Sequence, residues 1–111
     1  MDFAEYERLA ARTATWSGKQ KEHLLAYIAL GVAGEGGEVA EKIKKVIRND
    51  EGVVTDEQRE AIKQEIGDVL WYLAMLSREL GFPFEEAAKA NIQKLADRAA
   101  RGVIKSTGDN R

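Results

Sequence analysis

Hydrophobic residues recur at every third or fourth position along most of this chain, which is the spacing of one face of an α-helix. The longest stripe lies within residues 22–48 and comprises Leu25, Ile28, Val32, Val39, Ile43 and Val46. The chain has a single proline and lacks the long Val/Ile/Thr alternations of half-buried strands. The pattern therefore predicts an all-α protein.

Turn and capping signals mark where the helices begin and end. A first helix is predicted over residues 2–15 and a second over residues 22–48, with "SGKQ" and "NDEG" as the breaks that follow them. Thr55, with Gln58 three residues later, forms a predicted capping box for a third helix. Gly81 suits the end of that helix, because glycine readily adopts the left-handed conformation of a helix C-terminus.

The C-terminal part of the chain completes the predicted architecture. Pro83 suits the first turn of a fourth helix that runs to Arg101. Short connections favour antiparallel neighbours, so we predict a small antiparallel four-helix bundle. One domain is expected over residues 1–111, with its core in residues 22–101 and an irregular tail in residues 102–111.

Composition narrows the class of protein. The 111 residues are 44% hydrophobic and 32% charged, with no cysteine and a net charge of -2, which gives no general reason to bind nucleic acid. The opening "MDFAEYERLAART" lacks the pattern of a signal peptide, and no apolar run approaches the roughly 20 residues that span a bilayer. We expect a cytoplasmic protein with neither a membrane nor a stable nucleic-acid partner.

The segment "VLWYLAML", residues 69–76, is apolar almost all round the predicted third helix. Such a helix must be covered on more than one side. We therefore expect a homo-oligomer, a homodimer or homotetramer, that associates through Trp71 and Met75. The alternative is that the N-terminal helix covers this face.

Two pairs of carboxylates lie on the second and third helices. At 100° per residue, Glu35 and Glu38 lie about 60° and about 120° to one side of the second helix's apolar stripe. Glu65 and Asp68 lie about 70° and about 130° to the same rotational side of a stripe centred near Leu73. If the two helices face each other antiparallel, all four acids should converge along one seam.

Converging carboxylates repel one another, and a hard divalent cation relieves that repulsion. All-oxygen sites suit Mg²⁺ or Mn²⁺. A di-iron site would require Glu-x-x-His pairs, and the only histidine, His23, is too far along the chain to form one. From spacing alone, the alternative is that these acids pair with lysines at the surface.

These residues resemble a known family. "GEGGEVAEKIKK" followed by "EIGDVLWYL" is similar to the MazG-like all-α nucleoside triphosphate pyrophosphohydrolases, whose signature is E-x-x-E, a spacer, and E-x-x-D. Here 26 residues separate Glu38 from Glu65, and the resemblance covers residues 22–101, including a later "NIQKLADR". It implies a hydrolase of phosphorus anhydrides that converts an NTP or dNTP, canonical or modified, to the monophosphate and pyrophosphate. The resemblance does not indicate which base or sugar the nucleotide carries.

The resemblance also implies roles for the acids. Glu35, Glu38, Glu65 and Asp68 are expected to hold Mg²⁺, with Mn²⁺ as a substitute. Four acids exceed what one ion bound to a triphosphate requires, which leaves room for a second ion. Glu35 and Glu38 are expected to be catalytic, with Glu38 orienting or deprotonating the attacking water. The alternative function, which is not enzymatic, is that of a helical interaction or regulatory protein that has retained the fold and lost the catalytic activity.

Further residues are implied to contact the nucleotide. Asn91 and Lys94 are expected near the metal or phosphates, with Arg98 one turn further, although Arg98 equally suits the C-terminal dipole of its helix. Tyr72 would face the sugar or base. Trp16 has two alternative roles, either contact with the base or packing in the core. The chain departs from the family where a glycine precedes the first motif and where "RAARG" replaces a frequent "RYP".

Three segments allow more than one interpretation. The cluster Lys42, Lys44, Lys45 and Arg48 is interpreted as a solvated helix end rather than part of the site. The glycines of "GVAGEGGEVAEKIKK" and Gly67 would let a backbone or a triphosphate approach closely, or would mark a bend. The tail "STGDNR" either closes over the site or frays.

Overall fold

The computed structural model describes residues 1–102, and this part of the chain is all-helical. Its elements are α1 (Phe3–Ala10), a 3-10 turn (Ala11–Thr13), α2 (Gly18–Glu22), α3 (Leu24–Asp50), α4 (Asp56–Leu80) and α5 (Phe84–Ala100). The all-α prediction is therefore confirmed. The predictions for the "STGDNR" tail lie outside the described residues.

The prediction of four helices is wrong for the described residues, because "SGKQ" begins a helix rather than breaking the chain. The Ser17 backbone N donates a hydrogen bond to Gln20 Oε1 at 3.4 Å, which starts the five-residue α2. α1 ends earlier than predicted, at Ala10, and a 3-10 turn follows it. Five α-helices result, with α2 as a short connection into α3.

The ends of α4 follow the predicted signals. Thr55 N donates to Gln58 Oε1 at 2.8 Å, and Gln58 N donates to Thr55 Oγ1 at 3.1 Å, which completes the capping box. Gly81 ends the helix in the left-handed region at φ 84°. Residues 51–55 join α3 to α4, so the two longest helices form an antiparallel hairpin that dominates the fold.

A small core lies at the end of this hairpin nearest the N-terminal segment. Ile28 from α3 and Ala74 and Met75 from α4 are buried there. Half-buried hydrophobic residues surround them, including Tyr6, Ala10, Trp16, Leu24, Trp71, Tyr72 and Phe84. α1 and α5 close the core, since Phe3 meets Phe84 edge-on at 5.4 Å and Phe84 N donates to Glu7 Oε1.

The predicted oligomer contact through Trp71 and Met75 is wrong as to its surface. Trp71 Nε1 donates to Ala10 O at 3.1 Å and to Thr13 Oγ1 at 3.0 Å, and Met75 is only 3% exposed. The N-terminal segment covers this face, as the alternative interpretation held. Within residues 1–102, no helix is both long and apolar enough to cross a membrane.

Candidate metal centre

Three carboxylates from the two long helices come together on one side of the hairpin. Glu35 projects from α3, and Glu65 and Asp68 project from α4, with one oxygen of each within 4.8 Å of the others. Glu35 and Glu65 are half-buried and Asp68 is exposed. The three-residue spacing on α4 places its two acids on one flank, and the antiparallel partner supplies the third.

The charges of this carboxylate cluster, Glu35, Glu65 and Asp68, act most clearly on Glu35. Burial raises the pKa of Glu35 above the ordinary value of a glutamate, and the neighbouring charges add to this in the order Asp68, Glu65 and Glu38. A side-chain hydrogen bond between Glu35 and Glu65 raises it further. Two carboxylates can share a hydrogen bond only through a proton, so the cluster is a site where negative charge is under-compensated.

Glu38 does not join the other three acids. Its side chain is exposed and lies outside the group of mutually close oxygens, although its charge still reaches Glu35. The predicted convergence of four acids is thus met by three. Glu38 lies about 60° further round α3 from the apolar stripe than Glu35, which turns it toward solvent.

The donor chemistry fits a hard divalent cation. The cluster offers only carboxylate oxygens, the ligands that Mg²⁺ and Mn²⁺ prefer, and a bound cation would offset the negative charges that raise the pKa of Glu35. Three carboxylates also leave coordination positions for water or phosphate oxygens, as Mg²⁺ sites usually do.

Lys42 contacts the cluster, which corrects its interpretation as part of a solvated helix end. Lys42 Nζ lies 3.6 Å from Glu65 Oε1, with side chains 35% and 18% exposed. Lys44, by contrast, pairs with Glu41 on the same helix at 3.0 Å, as a surface lysine should. The sequence held a signal for Lys42, since it lies one helical turn after Glu38 on the same flank of α3.

A row of aromatic rings leads away from the cluster. Trp16 stacks at a tilt on Trp71 at 5.6 Å between centroids and meets Tyr27 edge-on at 5.9 Å. Trp71 in turn meets Tyr72 edge-on at 5.0 Å. Burial raises the pKa of Tyr72, and the charges of Tyr27, Glu35 and Asp68 raise it further, so two acids of the cluster act on this side chain.

Tyr72 fits against α3 because residue 31 is a glycine. A Cβ built on Gly31 would overlap the Tyr72 ring, whereas Cβ atoms on Gly34 and Gly36 would meet nothing within 4 Å. At Gly31 the group that approaches closely is the Tyr72 side chain, not the backbone or triphosphate that the sequence predicted. The helix runs without interruption through this segment, from Leu24 to Asp50.

Tyr6 is a second tyrosine near the acids, and it had no sequence signal. Burial raises the pKa of Tyr6, and the charge of Asp68 adds to the shift. Tyr6 and Leu70 also line a cavity of about 460 Å³ with Met1, Asp2 and Phe3. None of the three carboxylates lines that cavity, so the chemistry of the acids locates the candidate site, and Tyr6 connects it to the neighbouring cavity.

The predicted contacts from α5 are not brought to the cluster. Asn91 and Lys94 are exposed, and in the described part of the chain neither forms a hydrogen bond or ion pair with the three acids. Arg98 is buried at 7% exposure. Trp16 is half-buried within the aromatic row, so both of its predicted roles stay compatible with its position.

Comparisons with known proteins bear on this arrangement. Residues 21–103 match the family model described as the MazG nucleotide pyrophosphohydrolase domain. The chain belongs to the MazG family. This MazG chain is also 39% identical over 109 residues to a "Gene 37 protein" of Mycobacterium phage L5, a match that covers 96% of each protein. No solved structure matches it significantly.

Proposed function

We propose that this MazG protein is a divalent-metal-dependent nucleoside triphosphate pyrophosphohydrolase. The observation that carries the proposal is the carboxylate cluster, in which Glu35, Glu65 and Asp68 place oxygens within 4.8 Å of one another. Family membership supports the reaction class, and the helical hairpin supplies the rigid support that such a site requires.

The proposed reaction cleaves the bond between the α- and β-phosphates. Water adds its oxygen to phosphorus and loses a proton, and the bond to the bridging oxygen breaks to leave the monophosphate and pyrophosphate. When bound, Mg²⁺ supplies charge neutralisation to the phosphates and makes a nearby water more acidic. Glu35, Glu65 and Asp68 would hold that ion.

Glu38 is the residue we propose as the base. Glu38 is exposed and lies outside the carboxylate cluster, so a cation held by the three clustered acids would leave its carboxylate available. A carboxylate in this position can accept a proton from water, provided that the water lies within hydrogen-bond reach. Glu35 serves the reaction by binding the cation.

The nucleoside end of the substrate is proposed to lie along the aromatic row. The charges of Glu35 and Asp68 act on Tyr72, whose ring contacts Trp71, and Trp71 in turn contacts Trp16. Aromatic faces stack on nucleobases with little dependence on their identity. Asn91, Lys94 and Arg98 stay proposals for phosphate binding, drawn from their place in the family signature.

Turnover assays with metal test the proposal. Pyrophosphate release is measured on a panel of canonical and modified NTPs and dNTPs, with Mg²⁺ or EDTA. We expect Mg²⁺-dependent turnover and a loss of about 100-fold or more for Glu65→Gln and for Glu38→Gln, because each removes charge at the reacting centre. Glu41→Gln is the matched control, since Glu41 pairs with Lys44 on the same helix and is not one of the clustered acids.

The result distinguishes an enzyme from a non-catalytic regulator with the same fold. Absence of metal-dependent turnover on every nucleotide tested would refute the proposal and favour the regulator. Full activity in Glu38→Gln alone would leave the metal site standing and remove Glu38 as the base.

We also propose that the protein is a homo-oligomer in which a second copy covers an apolar groove on the hairpin. The groove, lined by Gly36, Val39, Ile66, Val69, Leu70 and Leu73, has a volume of about 360 Å³. Among the described residues, the buried hydrophobic residues are only Ile28, Val46, Ala74 and Met75. A two-helix hairpin with an uncovered apolar face is half of a four-helix bundle, and a second copy supplies the other half.

A further inference from the structure

An ion pair between Lys42 of α3 and Glu65 of α4 joins the two long helices at the carboxylate cluster. Lys42 Nζ on α3 lies 3.6 Å from Glu65 Oε1 on α4. Other lysine pairs, such as Lys44 with Glu41 and Lys63 with Glu60, lie within one helix and at the surface. The Lys42 contact instead reaches across the hairpin to a carboxylate of the cluster.

This ion pair is less exposed to solvent than the lysine pairs within single helices. The side chain of Glu65 is 18% exposed and that of Lys42 is 35% exposed, so water screens them only in part. Glu65 also lies against two other acids, Glu35 and Asp68, and the ammonium group offsets some of their combined charge. The Lys42 ammonium group therefore supplies positive charge beside the three acids while no metal ion is bound.

A divalent cation and the ammonium group would compete for Glu65. Both draw on the same carboxylate, and two positive groups on one carboxylate repel each other at short range. Lys42 has space to move aside, because it lines a cavity of about 260 Å³ with Lys45, Asn49, Gln58, Ala61 and Ile62. That cavity extends toward the loop end of the hairpin, away from Asp68.

We propose that Lys42 is a positioning residue that holds Glu65 in the metal-free protein and is displaced from it when a divalent cation binds. The proposal rests on the metal site of the proposed function. Lys42 keeps the two helices and the carboxylate in register while the site is empty, and its competition sets the affinity for the cation.

Binding of Mn²⁺, measured by electron paramagnetic resonance on the purified full chain, tests the exchange without reference to turnover. We expect Lys42→Met to bind Mn²⁺ about three- to tenfold more tightly than the wild type, because the competing charge is gone. Lys42→Arg, which keeps the charge, should bind close to the wild-type affinity. Lys44→Met is the matched control and should leave the affinity unchanged.

Thermal unfolding supplies a second readout. Without metal, Lys42→Met should unfold at a lower temperature than the wild type, and saturating Mg²⁺ should raise its midpoint by more than it raises the wild-type midpoint. A merely structural role would lower both midpoints equally and leave the affinity alone. Lys42→Gln serves as a polar replacement if the methionine variant folds poorly.

The outcomes separate this inference from the proposed function. Equal or weaker Mn²⁺ binding in both Lys42→Met and Lys42→Gln would overturn the role of Lys42 while the metal site stands. Failure of the wild type to bind Mn²⁺ would overturn the metal site and the inference together.

Discussion

Among the clustered acids, Glu35 is the residue whose pKa shows the effect of the neighbouring carboxylates most clearly. Its pKa in the folded chain is raised above the ordinary value of 4.5 by burial and by the neighbouring acids Asp68, Glu65 and Glu38. The folded state therefore binds a proton more tightly than the unfolded state. The resulting stability is present at low pH and is lost as the pH rises above about 4.5 through the folded-state pKa.

This shift predicts a pH-dependent stability difference between the wild type and Glu35→Gln in EDTA. The variant should gain stability relative to the wild type as the pH rises from 4.5 toward 7, because glutamine does not ionise. Thermal unfolding midpoints at several pH values measure the difference. Saturating Mg²⁺ should stabilise the wild type most at the higher pH, where the carboxylates are ionised.

Glu41→Gln is the control for that experiment, since it reverses the sign. A hydrogen bond and the charge of Lys44 lower the pKa of Glu41, so its contribution is present at neutral pH and lost on acidification. A wild-type profile parallel to that of Glu35→Gln across the whole range would contradict the interpretation of the cluster.

At the scale of helices, α3 and α4 fit together because α3 has no side chain where Tyr72 crosses it. Gly31→Ala should destabilise the protein by about 1–3 kcal/mol, because the new methyl group would overlap the Tyr72 ring. Urea unfolding measures the change. The displaced ring should also perturb the cluster, since the charges of Glu35 and Asp68 act on Tyr72.

Gly34→Ala is the matched control on the same helix. Nothing in the single chain lies within 4 Å of the position that its methyl group would take, so alanine should stabilise the helix by roughly 0.5–1 kcal/mol. If Gly31→Ala proved as harmless as Gly34→Ala, the close approach of Tyr72 would not explain the glycine.

The sequence predicted a helix boundary well where the interactions that set it lie within a few residues. The capping box of Thr55 and the left-handed Gly81 involve residues at most three or four apart, so the sequence predicted both ends of α4 well. α2 was missed even though Ser17 and Gln20 have the same three-residue spacing. A capping signature followed by only five helical residues is hard to distinguish from a turn without the tertiary contacts that stabilise it.

At the scale of the whole molecule, the uncovered apolar groove predicts self-association. Ile66→Glu places a charge at the groove on a side chain that is already 55% exposed in the single chain, so folding of the protomer should survive. We expect the variant to be monomeric, or to dissociate at concentrations where the wild type is an oligomer. Light scattering after size-exclusion chromatography measures the mass.

Ile92→Glu provides the control for this prediction. Ile92 is 67% exposed on α5 and is not part of the groove, so its substitution should leave the oligomer intact. A monomeric wild type, or dissociation by both variants alike, would contradict association through the groove.

Some positions in the candidate site follow from local helix geometry, and others depend on packing between distant segments. The spacing of Glu65 and Asp68 and the rotational position of Glu35 follow from helix geometry, and the structure brings these three together. Helix geometry could not decide that Glu38 stays outside. It also gave no reason to connect Tyr6 with the charge of Asp68, because the two residues lie far apart along the chain.

The sequence by itself determined the helical class, the long α3–α4 hairpin and the carboxylates of its shared flank, because periodicity and capping act over a few residues. The tertiary structure decided that the N-terminal segment covers Trp71, that Lys42 pairs with Glu65 and that Gly31 makes room for Tyr72. Each of these depends on how far one helix is rotated and shifted against another. Packing between distant segments sets that rotation, and local pattern does not encode it.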